Sequence, residues 1–481
     1  MTRTASDSSA HAFVANAAAA LADRTLRQAL SRTGENFVGA RARAVADLPE
    51  FEALRDAGTE IKDHVLANLD LYLERYAARA EQTGAVVHWA RDAQEARDAI
   101  LGICRTAGAR TVNKGKSMVT EEIGLNAHLA ANGVTPVETD LGEYIIQLRD
   151  ERPSHIIAPA MHLNKGQIAD TFRDAHKELD ANRPLDDAQA LLAEAREVMR
   201  GQYFAAQVGI TGANFLIAET GSSVIVTNEG NGDLSQLLPR VHIVVASIEK
   251  VVPTLEDAQT LIRLLARSAT GQEMSAYTTI STGPRRPDDL DGPDEYHVVL
   301  LDNGRSRMLG TEFQEMLRCI KCGACMNHCP VYRAVGGHAY GWVYAGPMGS
   351  VLTPLLLGLE EGGVLATAST FCGACEAVCP VKIPLPGLLR RLRELRYEQG
   401  GETAWARWAI ALWAWFAARP WAYRAKANAI VRVMHMAAGK RGRLRRWPLL
   451  GAWTKTRDLP APGHRTFVSQ WHDAQRKAQK R

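Results

Sequence analysis

The rhythm of apolar and polar positions changes along the chain. Up to about residue 75 it follows a helical pattern rich in Ala, Leu, Arg and Glu, and predicts a helical segment over 1–75. From Ala85 short apolar runs alternate with amphipathic stretches. Ala85-Val-Val-His-Trp reads as a strand, Ala93 to Ala107 as a helix and Arg110-Thr-Val-Asn as a second strand. A helix from Glu121 to Asn132 and a strand from Thr135 to Glu138 follow, and such alternation predicts a parallel sheet. Further on, Asn214-Phe-Leu-Ile-Ala-Glu and Ser223-Val-Ile-Val-Thr-Asn flank a Thr-Gly-Ser turn and predict a hairpin. His242-Ile-Val-Val-Ala-Ser reads as a buried strand, Leu255 to Arg267 as a helix and Glu295-Tyr-His-Val-Val-Leu-Leu as the closing strand. Residues 76–304 are therefore expected to form one α/β domain of mixed sheet. No G-x-G-x-x-G follows a strand there, so a dinucleotide fingerprint is absent.

Candidate chemistry lies beyond that domain. Seven of the eight cysteines fall in two runs: Cys319, Cys322, Cys325 and Cys329 before Pro330, then Cys372, Cys375 and Cys379 before Pro380. The first run has the C-x2-C-x2-C-x3-C-P spacing with which ferredoxins hold iron–sulfur clusters. The second repeats it from its second cysteine onward, with Ser369 in place of the first. Short loops of this kind wrap three corners of a cluster, and the cysteine before proline serves the other cluster of the pair. The expected metal and cofactor ligands are thus Cys319, Cys322, Cys325 and Cys379 at one site, and Cys329, Cys372 and Cys375 at the other. The three-thiolate site suits a 3Fe-4S cluster, or a 4Fe-4S cluster with a non-Cys ligand. Zinc normally takes four ligands per site and fits seven cysteines ending in two Cys-Pro pairs poorly. The runs are 43 residues apart, Cys329 to Cys372, with helix-like sequence such as Val351 to Leu359 between them. This favours a helical ferredoxin-type domain over 305–398. Cys104 stands alone among Ile100, Leu101 and Ile103 and reads as a small buried hydrophobe.

Composition adds one asymmetry. The net charge of +4 conceals 17 Lys and Arg against three acids from residue 401 onward. The region 399–481 is therefore a basic, Trp-rich tail, carrying Trp405, Trp408, Trp413, Trp415, Trp421, Trp447, Trp453 and Trp471. Its apolar stretch from Ala404 to Ala418 is too short to span a bilayer and is interrupted by Arg407. With Arg441, Arg443, Arg445 and Arg446 it could dock a partner or the acidic part of the same chain, or lie peripherally on an anionic membrane. No nucleic-acid module accompanies the charge, and nucleic-acid binding is not expected. No secretory leader or membrane span is evident, and a cytoplasmic protein is expected.

With these segments in hand, the chain resembles the lactate utilisation protein B family, iron–sulfur proteins of bacterial L-lactate oxidation. The likeness rests on Cys319-Ile-Lys-Cys-Gly-Ala-Cys-Met-Asn-His-Cys-Pro, Gly336-Gly-His-Ala-Tyr-Gly-Trp-Val-Tyr-Ala-Gly-Pro-Met-Gly and Phe371-Cys-Gly-Ala-Cys-Glu-Ala-Val-Cys-Pro. Lys114-Gly-Lys-Ser-Met and Gly209-Ile-Thr-Gly-Ala-Asn-Phe-Leu-Ile-Ala-Glu-Thr-Gly-Ser extend it into the α/β region. The resemblance implies that this region is a lactate-utilisation domain related to the CoA-transferase and sugar-phosphate isomerase folds. It also implies an electron-transfer role beside lactate utilisation proteins A and C in converting L-lactate to pyruvate, with an electron acceptor that it does not identify. The rival reading is a stand-alone oxidoreductase whose α/β domain binds a small anion.

Other residues invite a role. Lys114, Lys116 and Ser117 follow a strand and could bind a carboxylate or phosphate, or form a solvated turn. Glu219, on an apolar strand, would be a buried carboxylate in need of a partner. Asn228, Glu229 and Asn231 flank glycines after a strand. His338, Tyr340, Trp342 and Tyr344 could shield a cluster or dock a partner, and His328 could donate a hydrogen bond beside Cys329.

Overall fold

Alternation of side chains along the central strands builds the fold. In β7 (Val241–Ser247), Ile243 and Val245 point to one face while Val244 and Ala246 point to the other, and all four are buried. A strand buried on both faces belongs in the middle of a parallel sheet. It lies there, in a six-stranded sheet of order β1-β10-β7-β4-β2-β3 whose pairings are all parallel. The others are β1 (Val86–Ala90), β2 (Thr111–Gly115), β3 (Thr135–Glu138), β4 (Val208–Gly212) and β10 (Glu295–Leu301). Cys104, in the helix Ala93–Thr106, packs with Ile100, Val112 and Ile243 on one face of this sheet. The hairpin pairs β5 (Phe215–Ile217) antiparallel with β6 (Ser222–Thr227), in a second sheet of order β8-β5-β6-β9. Its remaining strands are β8 (Val251–Val252) and β9 (Tyr277–Ser281). Parallel and antiparallel strands thus fall mainly into separate sheets. The helix expected over 121–132 is broken into Met118–Glu122 and Leu125–Ala131 by Gly124, whose φ of 63° a glycine accepts readily.

The computed structural model describes residues 8–115, 117–445, 454 and 457–479, without the side chains of 32–35. Two compact units divide the chain, Met1–Glu398 and Gln399–Arg481. Within the first, one core joins the N-terminal helices, the second sheet and the cysteine region: Phe51 and Leu66, Phe215 and Val224, Leu261 and Leu264, then Met316, Val381 and Leu389. The helix Phe51–Ala67 is its keystone. A Cβ at Gly58 would approach Leu264 Cδ1 to 2.6 Å, so glycine sets the closeness of that contact. Arg55 on the same helix donates to the Cys379 carbonyl through Nε and Nη2 at 3.0 and 2.7 Å.

The second unit contains the helices Ala404–Ala417, Pro420–Ala438 and Phe467–Gln479 and a two-stranded ribbon, Arg443–Leu444 against Leu459–Pro460. Trp405, Trp408, Trp413, Trp415, Trp421 and Trp471 are exposed. Arg446, Trp447 and Trp453 lie outside the described residues. Among the described residues no helix is long and apolar enough to cross a membrane.

Candidate metal centre

The two cysteine runs begin with the same local structure. Lys321 and Gly323, on either side of Cys322, have φ of 59° and 75°; Phe371 and Gly373, on either side of Cys372, have 54° and 80°. Each loop then enters a single helical turn, Ala324–His328 and Ala374–Ala377, that carries the next cysteine. The left-handed residues turn the chain so that successive thiols face inward; glycine takes that conformation freely at 323 and 373, whereas Lys321 and Phe371 hold it at some cost.

Tertiary packing sorts the thiols. Cys319, Cys322, Cys325 and Cys379 line one small cavity with Ile156, Met348, Val381, Ile383 and Leu385. Burial pushes Cys322 and Cys325 well above the ordinary thiol range, and the neighbouring Cys319 and Cys379 add to it. Cys379 is pushed up to about 11 by burial, against the hydrogen bonds from the Ile383 and Val381 amides. Cys329, Cys372 and Cys375 interact in a second group: burial lifts Cys375 to about 12, with Cys329 and Cys372 reinforcing it. Cys372 differs, being exposed, and the Ala374 amide and the Thr370 side chain lower its pKa. Ser369, half-buried, accepts a hydrogen bond from the Phe371 amide at 3.1 Å.

Soft sulfur donors converging in apolar surroundings fit a sulfide-bridged iron centre, whose positive irons offset the charge of ionised thiols there. A second observation points the same way. The Tyr340 hydroxyl is fully buried, makes no hydrogen bond among the described residues, and interacts electrostatically with Cys329 and Cys325, one from each group. A buried O–H without an acceptor is costly, and cluster sulfur would supply one. Trp342 Nε1 and Ser350 Oγ in the same region are likewise buried without a partner among the described residues.

The chain is similar to known proteins over nearly its full length. Residues 73–301 match the LUD domain and residues 315–383 the 4Fe-4S dicluster domain. Lactate utilization protein B of Lysinibacillus sphaericus is 43% identical over 93% of this chain and 94% of its own. The protein of that name from Shouchella clausii is 44% identical over 95% of both, and that from Geobacillus thermodenitrificans 44% over 91% of both. The chain belongs to the lactate utilization protein B family. A DUF162 family protein from Deinococcus radiodurans of known crystal structure aligns with 48% of this chain and 98% of its own, at 14% identity and a TM-score of 0.27.

Within this chain, two expected residues take other roles. Lys114 is no anion site: its buried ammonium meets Glu121 and Glu138 at 2.7 Å each and Thr120 at 3.1 Å. Burial alone would lower its pKa, but the two carboxylates outweigh it and hold the group charged. Lys116 lies outside the described residues, and Ser117 caps the short helix after β2. Glu219 is not a buried carboxylate. It sits exposed beyond the end of β5, where its Oε2 accepts from the Leu255 amide at 3.4 Å. His328 Nδ1 pairs with the Ala324 carbonyl at 2.9 Å.

The glycine-rich segment is a packing element in part. Tyr340, Trp342 and Tyr344 are buried, and a Cβ at Gly337 would come within 1.8 Å of the Ser154 carbonyl oxygen. His338 is exposed and pairs with the Arg152 carbonyl at 2.7 Å. Sequence reasoning missed a buried ionic network that joins this segment to the sheet. Arg305 donates to both oxygens of Glu122 at 2.9 and 2.7 Å and pairs with Glu249 at 2.9 Å. Tyr344 Oη donates to Glu122 at 2.6 Å. It also missed Lys250 and Lys321, which line a cavity together. Their only sequence signals are a charged pair, Glu249-Lys250, directly after an apolar strand, and a lysine inside a C-x2-C loop.

Proposed function

We propose that this protein is the iron–sulfur electron-transfer subunit of a multi-protein L-lactate oxidation system, acting in the cytoplasm beside lactate utilisation proteins A and C. The observation that carries this reading is the sorting of seven cysteines into two groups within one compact unit. Cys319, Cys322, Cys325 and Cys379 would hold one cluster. Cys329, Cys372 and Cys375 would hold the other, with the corner beside Ser369 open or filled by an oxygen ligand. Iron–sulfur clusters bound there supply one-electron transfer.

The chain's own apolar residues Ile156, Met348 and Val381 line the first group, while Cys372 is left at the surface, where it would suit electron exchange with a partner. Oxidation of a hydroxy acid removes two electrons, so chemistry at lactate is assigned to a companion chain or shared interface. The names of the similar proteins support the lactate assignment. The exposed tryptophans and basic charge of 399–481 suit docking to an acidic partner first and peripheral contact with an anionic membrane second.

Iron and sulfide analysis with EPR on protein purified without oxygen, before and after dithionite, tests this. The expected result is about 7 to 8 irons per chain and signals from two interacting clusters. Little iron with about one or two zincs would overturn it.

A further inference from the structure

A cavity of about 470 Å³ opens at the carboxyl ends of the parallel strands. Ser117 just past β2, Asp140 just past β3, Gly212 at the end of β4 and Val245 near the end of β7 line it. Its position has a topological reason. From β2 the chain passes to β3 at one edge and then returns to β4 on the other side of β2. The order of strands therefore reverses between β2 and β4, and open α/β sheets bind ligands in the crevice outside such a reversal. The volume lies within the range of small-molecule and cofactor sites.

The lining divides by chemistry. Part of it is apolar, with Ile156, Ile157, Val245, Leu265 and Ala269. It also contains Lys250 and Lys321, close enough that the two interact electrostatically. Lys250 is 6% exposed, and among the described residues its ammonium makes no hydrogen bond or close ion pair, with the Glu249 carboxylate attracting it only at longer range. A buried ammonium without a hydrogen-bond acceptor is unfavourable, and the second cation beside it works against the longer-range attraction of Glu249. Lys321 rests over the Tyr344 ring at 4.3 Å. It also directly precedes Cys322, so the cavity adjoins the first cysteine group. Asp140, Glu143 and Glu229 line the cavity as well, but Asp140 is occupied in capping the helix Leu141–Leu148. Glu249, the acid nearest Lys250 in sequence, is engaged by Arg305 and Ser247.

We propose that this cavity binds an organic anion, with a phosphate or carboxylate held between the Lys250 and Lys321 ammonium groups and the organic body against the apolar part of the lining. The site lies in the α/β domain at its junction with the cysteine region, and it stands independently of how many clusters the protein carries.

Calorimetric titration of the anaerobically purified full chain tests it with three probes: flavin mononucleotide, riboflavin as the same ring system without phosphate, and pyruvate as a bare carboxylate. Flavin mononucleotide or pyruvate is expected to bind, and Lys250→Met to weaken that binding about tenfold or more, the loss of one charge-assisted contact. Lys250→Arg is expected to restore part of it. Binding of the phosphate ester alone assigns a phosphate-headed ligand, and binding of pyruvate alone a carboxylate. Since Lys250→Met removes a buried charge that makes no hydrogen bond, the variant is expected to fold; Lys321→Met provides a second disruption of the site. No binding of either anion up to about 1 mM, a millimolar limit that marks only weak affinity, would overturn the proposal. So would affinities unchanged in both lysine variants, or riboflavin binding as tightly as its phosphate ester. Iron content measured on the same samples separates failure of this site from failure of the cluster reading.

Discussion

The two cysteine groups share a loop and differ in their cover. Both open with the same pair of left-handed residues around a Cys-Gly, so the backbone solution is the same. Around the first group, the cavity wall is aliphatic, and the N-terminal helices reach over it. Arg55 holds the Cys379 carbonyl, and Arg41 donates to the Val378 carbonyl at 3.1 Å. Around the second group, Cys329 and Cys375 are buried but Cys372 is exposed, and a hydroxyl, Ser369, stands where the first run has a thiol. One loop design thus yields a more covered site, with Cys319 and Cys325 half-buried, and a more open one, with Cys372 exposed. The difference comes from what packs on the loop and from a single side-chain atom.

The largest test of that contrast removes one thiol from each group. Cys379→Ala is expected to lower iron by about four per chain and leave the cluster of the second group, whereas Cys372→Ala should remove up to the same amount and leave that of the first. Iron analysis with EPR separates the two. If both variants lose all iron, the groups are not independent sites and the comparison fails.

Next in size is the response to oxygen. Brief air exposure or a chelator should take about one iron per chain first, from the second group, because Cys372 is exposed and Ser369 only half-buried. The first group should persist much longer. EPR following the appearance of a three-iron signal against time reads this directly, and earlier loss from the first group would reverse the ranking. Ser369→Cys sharpens the same point. A fourth thiolate at that corner should retain about one more iron under air and lower the potential of that site, because it adds negative charge. Unchanged iron and unchanged potential would mean that residue 369 does not face the cluster.

How far these features were legible in the sequence follows from the distance over which each is encoded. Cluster spacing is local, because a loop must wrap one small core, so the cysteine runs and the place of Ser369 could be read directly. The strands Val241–Ser247 and Glu295–Leu301 were legible because both their faces are apolar. Lys114 was misread because its partner Glu138 comes beside it only through the β2–β3 register, in which the two residues are paired. Glu219 was misread because β5 is just three residues long and ends before it. Lys250 and Lys321 are distant in the chain and meet only when the cysteine region closes over the sheet. The local signals, a charged pair after an apolar strand and a lysine inside a C-x2-C loop, do not tell that the two come together.

The smallest expected effect probes the space between the groups. Tyr340 Oη is fully buried, has no hydrogen-bond partner among the described residues, and interacts with a cysteine of each group. If its O–H donates to cluster sulfur, it stabilises the reduced, more negative state, and Tyr340→Phe should make the potential more negative. A hydrogen bond worth about 1 kcal/mol corresponds to roughly 40 mV for one electron. Removing an otherwise unsatisfied hydroxyl while keeping the ring should leave the fold intact, because its packing against Phe13 and Tyr332 is aromatic. Redox titration by EPR measures the shift. A move of the second group's potential alone would place the hydroxyl on the Cys329 side, and a move of the first alone on the Cys325 side. An unchanged pair of potentials, with iron content equal to the parent, would show that the orphaned hydroxyl is satisfied by something other than cluster sulfur.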